Sequence, residues 1–257
     1  MKKISLILTA ISIFNMLSCK KGIDNSSPGD SKNAFSAIAQ KLILNESPSD
    51  FTILVSSVLP VKSDNSCNMS NTTTGIQASC KELLNCGSLK VNNFDIPFSS
   101  SNTYFLQSDS VTDYTEFVSK KVNSILASTS SQIPSFNITD YSPSIIKANY
   151  SGLINSKIDR NANLSISWTP DEQNLERDIV VVIEGTGDEN ANELYIQTVK
   201  DGAGACTISN TVWSQLSNET SVRLYLARGY NVVHEVNNKT IEHQFLNYCW
   251  TRLYFAN

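Results

Sequence analysis

Six short runs toward the carboxyl end constrain this chain more than anything else in it. They are "NLSISW" (163–168), "DIVVVIEG" (178–185), "ELYIQTV" (193–199), "SVRLYLARG" (221–229), "YNVVHEV" (230–236) and "YCWTRLYF" (248–255). Several alternate apolar and polar residues with period two, the mark of a half-buried strand, and they recur roughly every 10 to 20 residues. The connections "TPDEQN", "GTGDENAN" and "DGAGA" carry turn chemistry. A βαβ fold would need a helix between successive strands, so an antiparallel β-sandwich is expected over residues 146–257. One short helix is expected at "SNTVWSQL", 209–216, with Ser209 as its cap.

The half before it is less regular and reads as a cysteine-containing α+β or β region, 34–145. "AFSAIAQKLIL" (34–44) has helical spacing, although it also suits the approach to a strand, and "FTILVSSVLPV" (51–61) is a buried strand ended by Pro60. In "SCKELLNCG", Ser79 and Glu82 fit a capping box and Gly87 a stop, which predicts one or two turns of helix. "VTDYTEFVSKKVNSILAS" (111–128) matches a helical face at Tyr114, Phe117, Val118, Val122 and Ile125 and a strand at Val118, Val122 and Leu126. Helix is preferred there, and "STSSQIPSFNITDYSPS" (128–144) reads as a linker partly packed through Phe136 and Tyr141. Charged residues make up only 17% of the chain, so its polar surface comes from Asn, Ser and Thr, which suit turns and strand faces. The fold class expected is mainly β.

Residues 1–18 combine Lys2 and Lys3 with an apolar run from Ile4 to Leu17. Fourteen residues are short for a membrane span and suit a secretory leader. The run ends in "MLSC" and gives way to the polar "KKGIDNSSPGDSKN", 20–33. Leu17, Ser18 and Cys19 resemble the lipobox of bacterial lipoproteins, with Met16 where Leu is usual, as in the looser boxes of spirochaete lipoproteins. The resemblance implies cleavage before Cys19, a diacylglycerol on its sulfur, and residues 19–33 as a tether of roughly 20 Å. Lys20, where Asp would retain a protein in the inner membrane, implies the outer membrane.

Export would put Cys67, Cys80, Cys86, Cys206 and Cys249 in an oxidising compartment. One bridge is expected within the cluster that contains Cys67 and Cys80, with its pairing toward Cys86 open, and a second between Cys206 and Cys249. Trp168 and Trp250 are placed to pack on that second bridge. In this respect residues 150–257 resemble an immunoglobulin-like sandwich, although Asn247 stands where that family has Tyr before the second cysteine.

No motif announces a reaction. His234 and His243, with Glu235 and Glu242, lie nine residues apart across an expected hairpin tipped by "NNK", which is not the spacing of a zinc helix. An exposed hairpin is preferred. "GDENANE" sets Asp188, Asn190 and Asn192 at alternate positions but has Glu193 and Val199 where a calcium loop needs Gly and Glu. "DGAGAC" lacks the third glycine of a phosphate loop, there is no Gly-x-Ser-x-Gly elbow, and Asn71, Asn137, Asn149 and Asn218 head triplets that chance supplies in so Asn-rich a chain. A Ser-His-Asp set can meet only in space.

Removal of Lys2 and Lys3 leaves 18 basic against 24 acidic residues, which excludes nucleic acid as the expected partner. The expected protein is a lipid-anchored outer-membrane or surface lipoprotein, a non-enzymatic module without cofactor or metal. Its expected partners are the membrane, through its lipid, and a protein or host surface. The alternative is a periplasm-facing lipoprotein with a hydrolase or envelope-assembly role.

Overall fold

The computed structural model describes residues 31–43, 49–60, 72–82, 85–99, 102–108, 115–186, 194–216 and 219–256. The first described element is helix α1 (Ser31–Leu42). It is followed by β1 (Phe51–Pro60), β2 (Thr73–Cys80), β3 (Gly87–Val91), β4 (Phe94–Ile96), β5 (Tyr104–Ser108), β6 (Lys120–Ser128) and β7 (Phe136–Ser142). Next come β8 (Asn149–Ser151), β9 (Leu153–Ile154), β10 (Lys157–Ile158), β11 (Leu164–Ser167), β12 (Asp178–Gly185), β13 (Leu194–Lys200) and β14 (Ala205–Ile208). Helix α2 (Asn210–Gln215) precedes the two longest strands, β15 (Ser221–Val236) and β16 (Lys239–Phe255). The chain is mainly β, as expected.

Strands β15 and β16 form a hairpin that runs through the whole molecule, with Ser221 opposite Tyr254 at one end and Val236 opposite Lys239 at the other. Its turn is the two residues Asn237 and Asn238, both with positive φ, 51° and 61°. That left-handed pair twists with the strands, and Asn tolerates it better than most residues. Around the hairpin the long sheet runs β13-β12-β15-β16-β1-β2-β5, with β10 also on β16 and β9 on β10. Its pairs are antiparallel except where β1 and β10 run parallel to β16. A four-stranded sheet, β4-β3-β6-β7, and a three-stranded sheet, β14-β11-β8, are antiparallel throughout.

Both faces of the long sheet are covered, and β12 is accordingly apolar from Ile179 to Ile183. In β12, Val180 and Val182 face α1, while Ile179, Val181 and Ile183 face the short sheets. Ala34, Phe35, Ile38 and Ala39 form one stripe of α1 against Leu54, Tyr225 and Leu246. The opposite face carries two cores. One packs β11, β14 and Trp213 of α2 on Val181, Leu226 and Cys249. The other packs Leu89, Val122, Leu126 and Phe136 on Phe51, Ile53 and Phe245. The result is a sandwich-like arrangement with a helix outside it.

Two expectations of local structure need correction. Ser79 does not cap a helix: it lies in β2 opposite Thr52, and Gly87 begins β3. Burial of Ile76, Ala78 and Cys80 on one face of β2 outweighs the local capping pattern. The 111–128 segment is strand from Lys120 onward, because Val122, Ser124 and Leu126 all point inward with period two. The separation of 34–145 from 146–257 is bridged by the long sheet, where β1 lies between β2 and β16 with Phe51 opposite Ile241. Only the covering sheets change near that point, β7 ending at Ser142 and β8 starting at Asn149.

Candidate functional site

Two buried polar centres lie between the long sheet and the short ones. The first begins as a row across four adjacent strands: Thr74 on β2, Ser57 on β1, Asn247 on β16 and Arg228 on β15. All four are buried, and the row divides the two cores on that face. Ser57 and Thr74 hydroxyls are 3.2 Å apart. Asn247 donates to Ser142 Oγ at 3.1 Å and to the Pro143 carbonyl at 2.5 Å.

Arg228 satisfies its donors on three segments. Nε and Nη2 donate to the two oxygens of Asp201, each at 2.7 Å, Nη2 also to the Thr169 carbonyl at 2.6 Å, and Nη1 to Ser144 Oγ at 2.6 Å. Asp201 in turn accepts from Trp168 Nε1 at 3.0 Å and Asn174 Nδ2 at 3.0 Å. A fully buried pair is tolerable when every remaining hydrogen-bonding position is met. "DGAGA" is therefore a 3-10 turn whose aspartate anchors an arginine, with Gly204 in the left-handed region at φ 66°.

The second centre gathers both histidines. The two-residue turn sets His234 opposite Ile241 and Val232 opposite His243, which leaves the histidines diagonal neighbours on one sheet face. Asp140, on the edge strand β7, closes the pair: its Oδ2 lies 2.7 Å from His234 Nε2 and 3.0 Å from His243 Nδ1. His243 Nε2 lies 3.2 Å from Ser124 Oγ. Burial raises the Asp140 carboxyl pKa, but hydrogen bonds from His243 and then His234 outweigh it, and the net value lies below the usual carboxylate range. Burial holds His243 below the usual imidazole range against the pull of Asp140. The charge pattern assigns the protons: ionised Asp140 accepts from Nδ1–H, and neutral Nε2 accepts from the Ser124 hydroxyl.

Ser124, His243 and Asp140 are thus connected in the order of an acyl-transfer triad. The nucleophile of such a set must reach a substrate carbonyl. Here Ser124 and His243 are both 0% exposed, and the Phe245 ring lies 4.4 Å from the imidazole. Strand β6 is paired on both sides, Ser124 standing opposite Val91 and Ile138, so its backbone is committed to the sheet. In this conformation the centre is a clasp between the sheets.

The hairpin expected at the histidines is present, but it is exposed only in part: His243 is buried at the sheet centre while His234 keeps 28% of its side chain in solvent. The diagonal placement was readable from the "NN" turn. Asp140 and Ser124, about a hundred residues away, carried no local mark. Among the described residues no group of His, Cys, Asp and Glu could hold a metal ion. The acidic turn with Asp188, Asn190 and Asn192 lies outside the described residues, as do Cys19 and Cys67.

No bridge joins Cys206 to Cys249. Cys249 sits mid-sheet between Leu59 and Leu226, whereas Cys206 lies on the three-stranded sheet opposite Ile166, at the margin of the same core. Burial pushes the Cys206 thiol up to about 11. Trp168 packs in that core, but Trp250 lies on the opposite face with α1. Apolar packing takes the place of the expected staple. Cys80 and Cys86 do lie in one buried cluster, and the Cys80 thiol adds to burial in raising the Cys86 thiol.

No family model and no curated protein matches the chain. Among solved structures it is similar to the yeast delta-COP-I mu-homology domain at 8% identity and a TM-score of 0.30, over 81% of this chain and 97% of that one. A likeness that loose carries no argument about activity.

Proposed function

We propose that this chain is a lipid-anchored lipoprotein of a bacterial outer membrane or cell surface, acting as a non-enzymatic binding module. The observation that carries it is Cys19, set directly after Leu17 and Ser18 between an apolar leader and a polar stretch. Helix α1 starts at Ser31, twelve residues beyond Cys19, a spacing compatible with a tether between lipid and fold. Two acyl chains on one residue hold a protein stably at a membrane, where one does not. The closure of Ser124 and His243 favours a structural use of the polar centre.

Growth with labelled palmitate should tag the protein, and Cys19→Ser should abolish the tag. Protease added to intact cells should then cleave it. Protection until the outer membrane is broken would refute surface display and leave the anchor standing.

A second reading, an envelope hydrolase, is favoured by the contact order Ser124, His243, Asp140. It requires an opening beside Ser124 that exposes the hydroxyl while Asp140 stays on His243. A fluorophosphonate probe would then label Ser124 in the full chain and fail on His243→Gln. No labelling of the full chain would sink this reading.

A further inference from the structure

We infer that Cys80 and Cys86 are a disulfide-forming pair that pins the corner where the chain leaves the long sheet for the four-stranded one. Cys80 is the last residue of β2 and Cys86 immediately precedes β3. Both are buried, at 2% and 1% exposure, in one core with Phe51, Leu89 and Tyr104.

The corner is held with both cysteines inside one buried cluster. Tyr104 on β5 stands opposite Ala78, two residues before Cys80, and its hydroxyl accepts from the Cys86 backbone N–H at 2.9 Å. The same hydroxyl lies 2.8 Å from the Gly87 carbonyl and can donate to it. Gly87 makes the bend at φ 130°, where a Cβ would stand 2.2 Å from the Ala127 carbonyl oxygen. Only glycine fits there, so the approach of Cys86 to Cys80 is built into the backbone.

Oxidation needs an external disulfide, and Cys80 borders a cavity on that side. A cavity of about 30 Å³ is lined by Asp50, Cys80, Lys81, Glu82, Gln132, Ile133 and Lys239. Cys80 lines it, which assigns Cys80 the first attack. With glutathione disulfide as oxidant, the Cys80 thiolate attacks one of its sulfurs, forming a mixed disulfide and releasing one glutathione thiolate. The Cys86 thiolate then displaces the second. Two S–H bonds are lost and one S–S bond forms; two protons and two electrons end on two glutathione molecules. Burial, with Cys80 beside it, pushes the Cys86 thiol up to about 12, so the second displacement is slow at neutral pH and quickens as pH rises.

The pair stands apart from the proposed anchor, and the test separates them. The full chain is purified in detergent, reduced, equilibrated with a mixture of glutathione and its disulfide, alkylated and digested with trypsin. Cleavage at Lys81 and Lys90 releases 82–90, "ELLNCGSLK", which should be found linked to 63–81. Because 63–81 also contains Cys67, the link must persist in Cys67→Ser. The ratio of bridged to dithiol chain should be about tenfold or more higher in the folded protein than in guanidinium. Alkylation of both Cys80 and Cys86 in the oxidised folded chain, or loss of the link in Cys67→Ser, would overturn the pairing. A bridge that forms in the purified chain while fresh cells hold both as thiols supports the pair and removes the export reading.

Discussion

Arg228 and Asn247 stand opposite each other on the central hairpin, and both reach to one short stretch of chain, Ser142 to Ser144. That stretch is where the covering layer passes from the four-stranded to the three-stranded sheet. The seam is thus tied down by polar groups at the one place where neither apolar core can hold it. Arg228→Ala would leave Asp201 charged and buried without its partner, and should destabilise the protein by about 3–5 kcal/mol in a denaturant titration. Arg228→Lys keeps the charge but cannot span Asp201, Thr169 and Ser144, and should cost about 1–3 kcal/mol.

His243 makes stability depend on pH in a definite window. Its folded value is lowered from 6.5, so below pH 6.5 the unfolded chain takes up a proton that the folded one refuses. Stability should be flat above 6.5, fall as pH drops toward the lowered value, and then level. Asp140, lowered from 3.8, adds a second loss that begins below about 3.8. Unfolding midpoints from pH 8 to 3 should show both steps, and His243→Gln should remove the upper one.

Ser124→Ala deletes the donor that His243 Nε2 accepts from inside a buried core. A loss of about 1–3 kcal/mol is expected from unfolding curves, since the nitrogen is left unmet. Ser124→Cys, which keeps a weak donor of similar size, should recover part of it.

The seven-residue loop from Cys80 to Cys86 is short, and its closure should stabilise the oxidised chain by about 2 kcal/mol over the reduced one. Thermal unfolding with and without reductant measures the difference, and Cys80→Ala should make the two curves coincide.

Where structure followed local chemistry, the sequence could be read closely. The strand expected at 178–185 is β12, Ser209 accepts from the Thr211 N–H at the start of α2, and Asn237 and Asn238 make the hairpin turn. The failures share a cause. Ser79, Glu82 and Gly87 form a good helical frame, and residues 111–128 fit two periods, so the decision passed to distant partners: Phe51, Ile53 and Tyr104 for β2, and the β3 and β7 ladders for β6. The clasp was half readable. Hairpin register puts His234 and His243 on one face, but nothing near Asp140 shows that β7 will lie beside them. Cys206 and Cys249 were expected to pair because both lie in the C-terminal region, and the structure places them on different sheets.

Strand β1 lies mid-sheet, yet one of its two partners is the hairpin's far arm: Phe51 pairs with Ile241, 190 positions later. A chain emerging residue by residue must keep one edge of β1 unpaired until β16 has been made. Contacts so remote in sequence form slowly. During synthesis the nascent chain therefore has no finished central sheet, and the open edge of β1 is exposed to premature pairing throughout that interval.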